Sequence, residues 1–200
     1  GLGVYYGATA IEARLCGGDD VVIVGGGNSA GQAAVFLAQT AARVYILVRG
    51  KGLAETMSRY LIRRIEETPN ITLYTHCEIE AVEGEGQLEH VTWRNSITGE
   101  RSTCRVRHVF LMIGAMPNTE WLAGCIAVDA KGFILTGGEL TPEILAGSAW
   151  PAPRAPLPLE TSLPGVFAVG DVRAASVKRV AAAVGEGSAC IQQVYRVLAE

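Results

Sequence analysis

The stretch Val21-Val22-Ile23-Val24-Gly25-Gly26-Gly27-Asn28-Ser29-Ala30 constrains this chain more than any other. Four β-branched apolar residues in a row suit a strand buried on both faces of a parallel sheet. Three glycines end it, and the run Ala30 to Thr40 then carries alanine, valine, phenylalanine and leucine at helical spacing. Arg43 to Val48 (RVYILV) reads as the next strand. Strand, glycine turn, helix and strand within about 30 residues make a βαβ unit, expected to be right-handed. The fold class that follows is α/β.

Gly25-x-Gly27-x-x-Ala30 fits the dinucleotide fingerprint, with alanine in the third place. The first glycine makes the tight turn out of the strand, and the second lets the backbone approach a pyrophosphate. The third small residue allows close helix packing. The helix start at Gly26, Asn28 and Ser29 then offers N–H groups and the positive end of the helix dipole to phosphates. At the end of the second strand, an NAD site places a carboxylate about 20 residues on, to hold the ribose hydroxyls. Here that place reads Val48-Arg49-Gly50-Lys51, with no acid before Glu55. Arg49 and Lys51 suit a 2′-phosphate, which a carboxylate repels, so NADPH is the expected cofactor. The plain alternatives are a glycine turn that holds nothing and two solvated loop charges.

A second helix is expected from Leu53, Met57, Leu61 and Ile65, which recur every fourth residue, with Thr68-Pro69-Asn70 as its stop. Ile71 to Tyr74 reads as a further parallel strand. The pattern then shortens and alternates through Glu78 to Val82, Leu88 to Arg94 and Cys104 to Met112, which predicts an antiparallel meander over one face of the sheet. His76, His90 and His108 lie in or beside it, away from the cofactor motifs, and are expected to be structural or exposed. Gly1 to Thr9 reads as a leading strand or linker, and Ile11 to Cys16 as a short turn or helix. Past an apolar strand and glycine turn at Leu111 to Thr119, the chain is loop-rich to Leu163. The prolines of Trp150 to Pro158 exclude helix and central strand there. Gly165 to Asp171 reads as a short strand, and Val180 to Leu198 as a last helix.

Composition narrows the function classes. With 49% hydrophobic and 18% charged residues, the chain belongs with soluble α/β proteins and not with disordered ones. A formal net charge of -3, with bases scattered among acids, gives nucleic acid no stripe to bind. No apolar run reaches the length of a membrane span and no signal peptide is evident, so a cytoplasmic protein is expected. The five cysteines, Cys16, Cys77, Cys104, Cys125 and Cys190, include no Cys-x-x-Cys pair. They are expected to be small buried hydrophobes in a reducing compartment, with neither a redox dithiol nor a metal site.

Four blocks occur in the order of the thioredoxin reductases, and together the chain resembles that family over nearly its whole length. They are Gly25 to Ala30, Val44 to Arg49, Ile113-Gly114-Ala115-Met116-Pro117-Asn118-Thr119, and Thr161 to Val172 with Gly170-Asp171 at its end. The resemblance implies a Rossmann-like NADPH-binding domain with a meander insertion over residues 1–112. It also implies the C-terminal part of a split FAD-binding domain over residues 113–200. It places Ile113 and Gly114 at the cofactors, and Gly170, Asp171 and Val172 at the ribityl chain of FAD. Lys178, Arg179 and Val180 fall against the flavin ring, with the last helix aiming its N-terminus at the ring edge. The family passes hydride from NADPH to FAD and turns one domain against the other; the hinges would fall at Gly1-Leu2-Gly3 and Gly114 to Pro117.

The departures from the family are informative. Gly7 and Ala10 stand where its two redox cysteines would be, and neither replaces a thiolate. Gly50 and Ala54 stand where further arginines often follow Arg49. The only dinucleotide fingerprint is at Gly25, so the chain reads as a fragment of a longer flavoprotein, homodimeric at full length, with an incomplete FAD site. The acceptor is then a small molecule or a ferredoxin-like protein, as in ferredoxin–NADP reductases of the thioredoxin-reductase type. A non-catalytic NADPH-sensing module is the other reading.

Overall fold

The computed structural model describes residues 2–148, 150 and 153–199. It divides into two compact units, residues 1–114 and 115–200. The apolar run before the glycines becomes β2 (Asp20–Val24), with Val21, Val22 and Ile23 wholly buried. It pairs in parallel with β3 (Arg43–Val48), Val21 beside Val44 and Val24 beside Leu47. Beyond β3 lies β4 (Ile71–Thr75). The other side of β2 takes β8 (His108–Leu111), which takes β1 (Val4–Tyr5) at the edge. The spatial order is β1-β8-β2-β3-β4, all parallel.

One face of this sheet is covered by α2 (Asn28–Leu37) and α3 (Arg59–Glu66). Ala30, Ala33, Ala34, Leu37, Leu61 and Ile65 pack on Val21, Ile23 and Ile46. α2 approaches Met57 so closely that a Cβ on Gly31 would stand 2.7 Å from the Met57 sulfur. On the other face lies an antiparallel sheet of β5 (Cys77–Glu83), β6 (His90–Asn95) and β7 (Arg101–Arg105). Its Val91 and Trp93 join Val22, Tyr45 and Leu47 in a second core. The Trp93 ring lies 5.9 Å from Tyr45 and 5.4 Å, edge-on, from Tyr74.

The structure corrects several expectations in this unit. Leu53 and Met57 are buried but do not share a helix with Leu61 and Ile65, because α3 begins only after Ser58. The segment before it, with Gly50 and Gly52, runs as turns that fold Leu53 and Met57 back into the same core. α2 stops at Leu37, short of Thr40, where the amides of Thr40 and Ala41 both donate to the Leu37 carbonyl. Cys104 to Met112 is not one meander strand. It breaks at Val106-Arg107, leaving Cys104 in β7 while His108 opens β8 in the parallel sheet. The N-terminal region supplies β1 and then α1 (Ala10–Leu15).

The unit 115–200 is built mainly from loops. It holds α4 (Pro142–Gly147), capped by the Thr141 side chain, and α5 (Val180–Leu198). The expected strand at Gly165 to Asp171 is reduced to a single bridge between Phe167 and Glu160, followed by a 3-10 turn at Gly170–Val172. The turn from Leu163 through Pro164-Gly165, closed by the Val166 amide on the Leu163 carbonyl, leaves room for one bridging residue. Of the proline-rich run, Pro151 and Ala152 lie outside the described residues, as does Gly1 of the first hinge. Its buried apolar side chains include Ile134, Leu140, Leu157, Leu159, Ala168 and Ala174, and the charged Glu160 is buried as well. Among the described residues no helix is long and apolar enough to cross a membrane.

Candidate functional site

The glycine turn is held from three sides. The Gly25 amide donates to the Leu47 carbonyl at 3.0 Å, and Met112 donates to Val24 at 2.8 Å. This brings the Met112 carbonyl to 2.4 Å from where a Gly25 Cβ would stand, at a φ of +138°. Only glycine fits there. The Thr56 hydroxyl donates to the Gly26 carbonyl at 2.8 Å, and the Ser58 amide donates to the Asn28 side-chain oxygen at 2.8 Å. Asn28 is therefore a clamp on the loop before α3. Thr56 and Ser58 were not legible as site residues, since their role depends on that loop folding back.

Gly27 is different in kind. It caps α2 with extended backbone and no side-chain hydrogen bond, and among the described residues nothing lies within 4 Å of where its Cβ would stand. The first helical bond runs from the Gly31 amide to the Gly27 carbonyl, and among the described residues the amides of Asn28, Ser29 and Ala30 find no backbone partner. Three free N–H groups, the positive end of a ten-residue helix and open space over Gly27 suit a pyrophosphate. Ala30 is fully buried against the sheet, which keeps this end of α2 close to β2.

The basic loop follows β3 directly. Arg49 is 84% exposed with its Nε 4.0 Å from Glu78, and Lys51 Nζ is 2.9 Å from Glu55. Such exposed pairs contribute little and can be exchanged for a phosphate. The His76 amide donates to the Gly50 carbonyl at 3.0 Å, so His76 is joined to this loop and not remote from it. His108 lies at the start of β8, buried between the Tyr5 hydroxyl at 3.4 Å and Asp19 at 3.1 Å. His90 is half-buried in β6 opposite Arg105. Ile113 and Gly114 follow β8, both exposed.

Four of the five thiols are held in their protonated form. Burial, then the charges of Asp19 and Glu12, push the Cys16 thiol up to about 12. Burial raises Cys77, Cys104 and Cys190 as well, although Cys104 and Cys190 are only partly buried. Cys125 is exposed, against the expectation of burial, because it sits in the loop after a 3-10 turn. Gly7 lies in open space, and Thr9 with Glu12 forms a capping box that opens α1. The segment from Gly7 to Ala10 thus serves as a helix start.

In the second unit, the turn Gly170–Val172 and the start of α5 come together. The Gly170 amide donates to Glu186 of α5 at 2.6 Å, and Arg173 reaches the same carboxylate at 2.6 Å. That guanidinium holds the Glu186 carboxyl below the usual carboxylate range. Lys178 donates to the Asp171 carbonyl at 2.7 Å and stands 4.0 Å over the Phe133 ring. Its ammonium is tied to the turn, while among the described residues the Asp171 carboxylate accepts no hydrogen bond. Arg179 occupies the N-cap of α5 without a side-chain cap and Val180 is its exposed first residue. The start of α5 thus keeps the positive end of its helix dipole uncapped by a side chain.

A family model described as pyridine nucleotide-disulphide oxidoreductase matches residues 5–187. The chain is 32% identical over 181 residues to a thioredoxin reductase of Mycolicibacterium smegmatis, covering 90% of this chain and 52% of that protein. It is 30% identical over 182 residues to a thioredoxin reductase of Yarrowia lipolytica, covering 90% and 50% respectively. A thioredoxin reductase structure from Lactococcus lactis has the same fold, with a TM-score of 0.79 at 24% identity over 98% of this chain and 58% of that one. The chain spans about half the length of these relatives.

Proposed function

The chain belongs to the pyridine nucleotide-disulphide oxidoreductase family, and from that premise we propose that it binds NADPH on the Gly25 turn as part of a flavoprotein oxidoreductase. The observation that carries this reading is the open, uncapped start of α2 over Gly27. Bound there, the nicotinamide supplies a hydride, for which the flavin of the complete protein is the acceptor. The amides of Asn28, Ser29 and Ala30 hold the pyrophosphate, and Arg49 and Lys51 hold the 2′-phosphate. Thr56 and Ser58 keep the turn in shape through Gly26 and Asn28. Asp171 orients the polyol chain of FAD, and Lys178 fixes the Asp171 backbone. The start of α5 at Arg179 and Val180 would offer its positive end to the flavin ring.

The one dinucleotide fingerprint is spent on NADPH, so we place the pyrophosphate and adenosine of FAD outside these residues. Gly7 and Ala10 carry no thiols, so a flavin bound in the complete protein would pass its electrons to a small molecule or a ferredoxin-like protein, not through a linked dithiol.

Fluorescence titration of the chain with NADPH and NADH tests the cofactor site. Arg49→Met is expected to weaken NADPH about tenfold, the loss of one charge-assisted phosphate contact, while leaving NADH within about twofold. A wild-type chain that binds neither dinucleotide overturns the reading. For the reaction, the full-length FAD-loaded protein is expected to oxidise NADPH with ferricyanide. Tight binding without flavin reduction would assign a sensing module instead.

A further inference from the structure

Arg49 and Lys51 do not stand in an unbroken positive field. Glu55 beside Lys51 is a neighbour within the same loop, four residues on. Glu78 beside Arg49 comes from another element, 29 residues away in sequence and two residues into β5. A corner brings it there: the His76 amide donates to the Gly50 carbonyl, and the Ser96 amide donates to the His76 carbonyl at 2.7 Å. His76 holds a φ of 55° and so turns β4 into β5 alongside the basic loop. In the antiparallel register Glu78 opposes Arg94 of β6, which puts a second cation across the strand from it.

We propose that Glu78 is a specificity-determining residue for the dinucleotide. Its carboxylate accompanies Arg49 and sets a negative charge next to the 2′-phosphate position, narrowing the preference for NADPH over NADH. The proposal rests on the dinucleotide reading above. Two effects of Glu78 oppose one another. It can position Arg49, and it repels a phosphate that carries up to two charges. The pair is 4.0 Å apart with side chains 84% and 58% exposed, a geometry in which positioning contributes little. Repulsion grows with the phosphate charge and persists while the carboxylate is ionised. Repulsion wins.

The test is a fluorescence titration of the 200-residue chain with NADPH and with NADH at low salt. Glu78→Gln keeps the side-chain shape and removes the charge. It is expected to tighten NADPH on the order of threefold and leave NADH within about twofold, with the difference fading near 0.5 M salt as screening shortens. Glu85→Gln makes the same change of net charge at the far end of the β5–β6 hairpin and is expected to alter neither affinity. Weaker NADPH binding by Glu78→Gln, equal shifts for both dinucleotides, or the same shift from Glu85→Gln each overturns the proposal. Arg49→Met separates the role of Glu78 from the cofactor site itself. If it lowers the NADPH preference while Glu78→Gln fails to raise it, only the role of Glu78 falls. If the wild-type chain binds neither dinucleotide, or Arg49→Met leaves the preference unchanged, the cofactor reading falls with it.

Discussion

Gly27→Val is expected to raise the Kd for NADPH about a hundredfold, roughly 2.8 kcal/mol at 1.4 kcal/mol per decade, while leaving the fold intact. The position is permissive for folding. Its backbone is extended, with φ -89° and ψ 178°, and among the described residues no atom lies within 4 Å of the added Cβ. The branched side chain instead fills the space over the α2 amides, where a pyrophosphate must approach. Thermal unfolding reports the fold, and a fluorescence titration reports the site. The contrasting change is Gly25→Ala. Its Cβ would meet the Met112 carbonyl at 2.4 Å from a left-handed backbone, so that variant is expected to lose stability first and binding only as a consequence. Undiminished NADPH binding by Gly27→Val would place the cofactor elsewhere.

Glu160→Ala is expected to cost the unit 115–200 about 3–5 kcal/mol, the usual loss when one partner of a buried ion pair is removed. Glu160 is 0% exposed. Both its oxygens accept from the Arg154 guanidinium, at 2.6 and 3.0 Å, and also from the amides of Leu157 and Gly165. Alanine takes the acceptor from all of these at once. Burial pushes the Glu160 carboxyl up, but Arg154 and the two amides outweigh it and hold the group below the usual carboxylate range. Its contribution is therefore complete above the unfolded value, near pH ~4.3, and is lost as the pH falls through the folded one. Urea unfolding at neutral and acid pH measures both statements. The variant should lie well below the wild type at neutral pH, with the gap closing in acid. A neutral-pH loss under about 1 kcal/mol, the scale of an exposed pair, would contradict the buried-pair account.

The parts of the fold that were legible in the sequence are those whose signals are local. Val21 to Val24, the glycines and the alanine-rich run each announce an element without help from distant residues. α5 was legible from Val180 to Leu198 for the same reason. Leu53 and Met57 misled because a four-residue spacing serves equally a helix face and a loop that dips twice into one core. The break at Val106-Arg107 was hidden, since a chain changing from one sheet to another keeps its apolar run.

At the candidate site, the glycines, Arg49 and Lys51 could be named from sequence, but Thr56, Ser58, His76 and Glu78 could not. Each reaches the site through a contact between elements. Glu160 left a trace that could have been read: between residues 144 and 170 the only charged residues are Arg154 and Glu160. One acid and one base in so apolar a stretch are expected to find each other.

The central claim is that a nicotinamide dinucleotide lies on the start of α2, and amide NMR tests it most directly. Uniformly 15N-labelled chain is titrated with NADPH and the backbone shifts are followed. A dinucleotide in that place produces saturable changes concentrated at residues 25–30, strongest at Asn28, Ser29 and Ala30, with a second group at residues 49–51. No perturbation at saturating NADPH would contradict the claim. So would changes confined to the opposite end of the parallel sheet, around Asp19, Arg107 and His108.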